Sequence, residues 1–184
     1  YSNTLHMPPT VADLLKKYSQ KIVLTEVRLI LACILKQPIE FLIAHPEYKI
    51  STLENWKIKI MVTKRAKGVP LAYLTGHKEF FSLDFIVNKH TLVPRPETEV
   101  LVEEVLKELQ KDTTLIDIGT GSGCIPISIL KSSGIQSSII TYATDISKHA
   151  LNIAQKNATT HNVKITFLEG NLLEPALKNS KLLN

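Results

Sequence analysis

Leu115-Ile116-Asp117-Ile118-Gly119-Thr120-Gly121-Ser122-Gly123 decides the fold. Leu115, Ile116 and Ile118 read as the end of a buried strand. Three glycines at every second position then let the backbone turn sharply and come close to a ligand. The apolar run Ile125, Ile127, Ile129, Leu130 follows at once and reads as a helix. Strand, glycine turn and helix start make a nucleotide-type site, with free N–H groups aimed at the ligand. A glycine-rich turn that holds no ligand is the plainer alternative.

The spacing separates two versions of that site. A dinucleotide fold wants G-x-G-x-x-G after its strand. Cys124 stands where the third glycine of that pattern would fall, and the pattern present is D-x-G-x-G-x-G. Asp117, two residues before the first glycine, would sit poorly beside a pyrophosphate and well beside an ammonium group. S-adenosylmethionine carries an ammonium, a carboxylate and a sulfonium, and no phosphate. The pattern therefore favours that cofactor over NAD.

Working outward, the chain from Thr113 reads β-α-β-α-β. A helix from about Gly123 to Lys131 carries Pro126 in its first turn, where a missing N–H does little harm. Ile139 to Ala143 is the second strand, ending at Asp145. Ser147 caps a helix with Ala150, Leu151, Ala154 and Ala158 inward, and Val163 to Leu168 is the third strand. Right-handed crossovers make one parallel sheet of these strands, with ligands at their carboxyl ends. Asp145 lies about 20 residues beyond the glycines, where an acid hydrogen-bonds ribose hydroxyls. Capping the following helix beside Ser147 is the competing role.

Upstream, Pro96 opens a helix to about Gln110, with Val100, Leu101, Val105, Leu106 and Leu109 as its apolar positions and Glu97 and Glu99 at its positive end. Before it, Lys78–Phe81 and Leu83–Val87 read as a β-hairpin ending near Val93, with Asn88-Lys89 able to turn the chain. Residues 8–75 read as all-helical. Thr10 caps the first helix, the second follows Thr25, and Pro38 opens a short third. Ser51-Thr-Leu-Glu54 is a capping box for the fourth, with Leu53, Trp56, Ile60 and Thr63 as its core line. Lys64, Arg65 and Lys67 complement its dipole, and Gly68 stops it.

Composition narrows the function. The net charge of +5 is uneven: residues 1–76 hold 11 Lys/Arg against 5 Asp/Glu, while residues 77–184 hold 11 against 12. An acidic partner or a merely solvated helical surface would each account for the excess. No apolar run approaches the roughly 18–20 residues of a membrane span, and the first residues lack a signal-peptide core. Cys33 and Cys124 lie in apolar helical patterns, so two buried thiols in a reducing, cytoplasmic setting are expected, with no metal motif. The six histidines are scattered, and no Ser/His/Asp arrangement stands out.

Several motifs coincide in order: Gly68-Val-Pro-Leu-Ala-Tyr-Leu-Thr-Gly76, Lys78-Glu-Phe80, Leu92-Val-Pro-Arg-Pro-Glu-Thr-Glu99, Asp117 to Cys124, and Ala143-Thr-Asp-Ile-Ser147. Together they resemble the HemK/PrmC type, the peptide-chain release factor glutamine N5-methyltransferases. The resemblance implies an α plus α/β architecture. Residues 1–75 would be a helical domain that docks a class I release factor, residues 76–95 a β-hairpin linker, and residues 96–184 the first half of a Rossmann-like methyltransferase domain. It implies S-adenosylmethionine as cofactor, held by Gly119, Thr120, Gly121, Ser122 and Gly123 around its methionine part. Asp145 would hold the ribose, and Asn171 and Leu172 would contact the adenine. Asn171 replaces the family's usual Asp, so weaker cofactor affinity is expected.

The family's Asn-Pro-Pro-Tyr motif, which grips the substrate glutamine after a fourth strand, is absent from these 184 residues. The expectation is therefore a piece of a longer polypeptide, with the first strand left as an unpaired edge, no catalytic residue in this stretch, and no activity by itself. The full protein would methylate the glutamine of a GGQ motif in translation termination, with no membrane contact and no direct nucleic-acid binding. Two competitors stand beside it: an amino-methyltransferase of nucleic acid, and a non-catalytic fragment that binds the release factor or the cofactor.

Overall fold

A capping box starts the first helix, α1 (Val11–Tyr18): the Asp13 N–H donates to Thr10 Oγ1 at 3.2 Å, and the Thr10 N–H donates to Asp13 Oδ2 at 2.9 Å. The structure is a computed structural model that describes residues 7–178. It divides into two compact units between Thr75 and Gly76.

The first unit holds α1, α2 (Leu24–Leu35), α3 (Ile39–Ala44), α4 (Thr52–Ala66) and α5 (Leu71–Thr75). Val27, Ile30 and Leu31 of α2 meet Leu14 and Tyr18 of α1 and Ile58 and Val62 of α4 in one buried cluster. Ser51 and Glu54 form the expected capping box. Arg65, in the last turn of α4, reaches across to α2: its Nε donates to both carboxylate oxygens of Glu26 at 3.0 Å. The expected core line of α4 is corrected. Its buried residues are Ile58, Met61 and Val62, while Leu53 is 60% and Trp56 59% exposed. Both stripes have helical spacing, but Trp56 and Ile58 lie about 200° apart around the axis, so only one stripe meets the bundle. Cys33 is also exposed rather than buried.

The second unit begins with an antiparallel hairpin, β1 (His77–Phe80) and β2 (Leu83–Ile86). Its turn is Phe81-Ser82, with φ of +50° and +58°, and the chain turns again at Asn88-Lys89, where the Thr91 N–H donates to the Asn88 carbonyl at 3.0 Å. Two left-handed residues in a two-residue loop match the twist of the strands, and the Phe81 N–H is tied to Glu99 Oε1 at 2.9 Å. Pro96–Thr98 forms a 3-10 turn before α6 (Glu99–Glu108). The apolar positions of α6 split. Val102 is fully buried and Val105, Leu106 and Leu109 pack on the core, whereas Val100 and Leu101 are exposed.

Then β3 (Thr114–Ile118), α7 (Cys124–Ser133), β4 (Ile140–Asp145), α8 (Lys148–Thr160), β5 (Thr166–Glu169) and the short α9 (Glu174–Leu177) follow. Among the described residues the sheet order is β3-β4-β5, all parallel, with Asp117 opposite Ala143 and Asp145 opposite Glu169. Phe80 and Phe85 of the hairpin share a buried cluster with Val102, Ile127, Ile129 and Ala158. The core thus lies where hairpin, α6, α7 and α8 converge, and the strand ends remain available for a site.

Candidate functional site

Hydrogen bonds at the carboxyl ends of the strands gather the candidate residues. The Gly119 and Thr120 N–H groups both donate to the Thr144 carbonyl, at 2.8 and 2.9 Å. The Gly121 N–H donates to Asp145 Oδ2 at 2.9 Å, and the Ser147 N–H donates to Asp145 Oδ1 at 2.8 Å. The Asp145 carbonyl accepts from Gly170 N–H at 3.0 Å, and Thr144 Oγ1 donates to the Leu172 carbonyl at 2.9 Å. The glycine loop, Asp145 and the loop carrying Asn171 and Leu172 therefore meet at one end of the sheet. Asn171 and Leu172 are both exposed there, Leu172 with φ +46°.

Gly119, Gly121 and Gly123 have φ of +74°, +55° and +79°, values that side-chain-bearing residues rarely adopt. Space is open where a Cβ on Gly119 would stand, so a ligand can approach the backbone there. Gly123 serves packing instead. A Cβ on it would lie 3.1 Å from Ile127 Cδ1 and 3.2 Å from Ala154 Cβ, so the glycine lets α7 and α8 close together.

Thr120 and Ser122 are buried, and the loop presents backbone more than these hydroxyls. Asp117 Oδ2, Thr120 Oγ1 and Ser122 Oγ are buried without a hydrogen-bond partner among the described residues. Burial holds the Asp117 carboxyl above its ordinary value, the Asp145 charge adds to this, and the nearby Thr120 hydroxyl opposes it. An orphaned, desolvated carboxylate oxygen is costly unless a donor reaches it. A cationic ligand group would be such a donor. The Cys124 thiol is pushed up to about 11, chiefly by burial, and is no nucleophile.

Two further residues belong to the site's frame, one already singled out from the sequence and one not. The acid before the glycines, Asp117, carries the unpartnered oxygen. Asn157 of α8, fully buried, donates to the Ser122 carbonyl at 2.8 Å. Its signal was its place three residues after Ala154 on the inward stripe, a polar side chain amid alanines.

Taken together, the parallel sheet, the glycine loop and the acid at the second strand's end define an α/β domain of the nucleoside-cofactor-binding class. Comparison with known proteins narrows this. Residues 11–76 match the family described as PrmC N-terminal domain, and residues 96–182 match the family described as Methyltransferase small domain. The chain belongs to the HemK/PrmC-type family of release factor glutamine methyltransferases. It is 43% identical over 140 residues to the release factor glutamine methyltransferase of Flavobacterium psychrophilum, covering 72% of this chain and 47% of that protein. The Moorella thermoacetica protein of the same name is 42% identical over 161 residues, with 85% and 55% covered. A bifunctional methyltransferase of Rickettsia bellii is 36% identical over 179 residues, with 81% and 32% covered. The chain thus spans between about a third and about a half of the length of these relatives.

Proposed function

We propose that this chain supplies the cofactor cradle and the docking unit of an S-adenosylmethionine-dependent glutamine N5-methyltransferase acting on class I release factors. The observation that carries the reading is the buried, unpartnered Oδ2 of Asp117 at the foot of the left-handed glycine loop. A methionine ammonium would give that oxygen the donor it lacks. The cofactor's carboxylate would take the backbone N–H groups at the start of α7, which suit an anion. Asp145 already accepts two N–H bonds, yet a carboxylate has about four lone-pair sites, so its oxygens retain capacity for ribose hydroxyls. Asn171 and Leu172 would border the adenine.

The full protein's reaction would be a direct displacement. The bound cofactor would supply an activated methyl group, its carbon–sulfur bond breaking as the substrate amide nitrogen bonds to that carbon, and the proton displaced from the nitrogen would pass to solvent. Such a step gains mainly from alignment, about 7–11 kcal/mol in favourable cases. No residue of this chain is assigned to gripping the glutamine, which lies in the GGQ motif of the release factor on this reading. The basic helical unit would dock the partner in the cytoplasm.

Calorimetry with S-adenosylmethionine, NAD and ATP tests the cradle: heat with the first alone is expected, and heat only with NAD or ATP overturns the reading. Transfer of labelled methyl to a release factor tests the reaction. Turnover by these 184 residues alone would refute the idea that the glutamine-gripping groups lie outside them.

A further inference from the structure

We infer that Asn157 is a positioning residue that locks the glycine loop to the β-hairpin, so that the cofactor cradle and the hairpin order as one piece. The inference rests on the cofactor reading above but is tested apart from it. Ile86 faces His77 across the hairpin, and its own N–H and C=O are directed away from that strand toward α8. Peptide groups on such an edge need partners when buried. Asn157 supplies both: the Ile86 N–H donates to Oδ1 at 2.8 Å, and Nδ2 donates to the Ile86 carbonyl at 3.0 Å. The side-chain amide thus stands where the peptide of a further strand would.

The second Nδ2 hydrogen goes to the Ser122 carbonyl at 2.8 Å, one residue before the glycine that opens α7. One fully buried amide therefore uses both donors and its oxygen on two chain segments far apart in sequence. Its orientation is fixed by this set, because a flipped amide would oppose N–H to N–H at Ile86. The isosteric Asp lacks these donors: a carboxylate there faces two carbonyl oxygens, and a protonated carboxyl offers one O–H.

Hydrogen exchange on the 184-residue chain, with S-adenosylhomocysteine as probe, tests this. In the wild type the probe should slow exchange at residues 119–124 and at Ile86 together. Slowing confined to the loop overturns the inference, and slowing nowhere overturns the cofactor reading instead. Without probe, Asn157→Ala should speed exchange at both segments roughly tenfold or more relative to Asn152→Ala, an exposed control on the same helix, while residues 11–66 keep wild-type rates. Equal rates in the two variants overturn the inference. Should Asn157→Ala fail to fold, Asn157→Asp carries the comparison: exchange at both segments should quicken as pH rises through its burial-raised pKa, against a wild type with the same buffer dependence subtracted. A pH-independent change, as simple loss of packing gives, counts against the inference.

Discussion

Asp117 is the residue on which chemistry and stability pull in opposite directions. Burial raises its pKa in the folded chain above the ordinary 3.8. Without ligand, stability should therefore fall as pH climbs from 3.8 through that raised value, because the charged form is desolvated. Affinity for S-adenosylhomocysteine should rise over the same window, because the ammonium needs the carboxylate. Asp117→Asn should unfold at a higher temperature than the wild type near neutral pH and bind the cofactor roughly 10- to 100-fold more weakly. Thermal melts and calorimetry on one preparation check both signs. The two thiols give a second outcome at this scale. Cys33 is exposed and Cys124 buried with its pKa pushed up to about 11, so a thiol reagent should titrate one cysteine in the folded chain and both after denaturation. The residue-level features legible in sequence were those set by immediate neighbours: the caps at Thr10, Ser51 and Ser147, and the glycine turn.

At the scale of elements, α4 and α7 show what helical periodicity leaves open. Two stripes of α4 carry apolar residues at i, i+4 spacing, and the bundle buries the one with Ile58, Met61 and Val62. Ile58→Ala should cost about 2–5 kcal/mol, whereas Trp56→Ala, at an exposed position, should stay within about 0.5–1 kcal/mol. Chemical denaturation of the two variants checks the contrast. Between α7 and α8 the contact is set by Gly123. Gly123→Ala would place a methyl group against Ile127 and Ala154 at a left-handed φ, so a loss of about 2–5 kcal/mol is expected in the same measurement. A cost below about 0.5 kcal/mol would show that α7 can shift to take the methyl.

For the whole molecule, charge separates the proposed partner from its rival. The basic excess lies in residues 1–76, yet Arg65 is already engaged by Glu26 within the helical unit. Release-factor binding is expected to persist at physiological salt. Nucleic-acid binding, if it were the function, should fall with a log–log slope of about −0.9 per duplex phosphate contacted. Titrations at several salt concentrations with a release factor and with an RNA distinguish the two.

The sequence by itself determined the β-α-β-α-β order, the parallel pairing of its strands, the glycine loop between strand and helix, and the helical character of the first unit. Those features follow from periodicity, capping and turn chemistry within a few residues of each position. Only the tertiary structure decided which stripe of α4 is covered, that Cys33 is exposed, and that Asp145 clamps the Gly121 N–H. It also joined Asn157 to Ile86, 71 residues away, and to Ser122, 35 residues away. Burial and long-range hydrogen bonding are properties of what packs against a residue, and no local pattern in the chain specifies that neighbour.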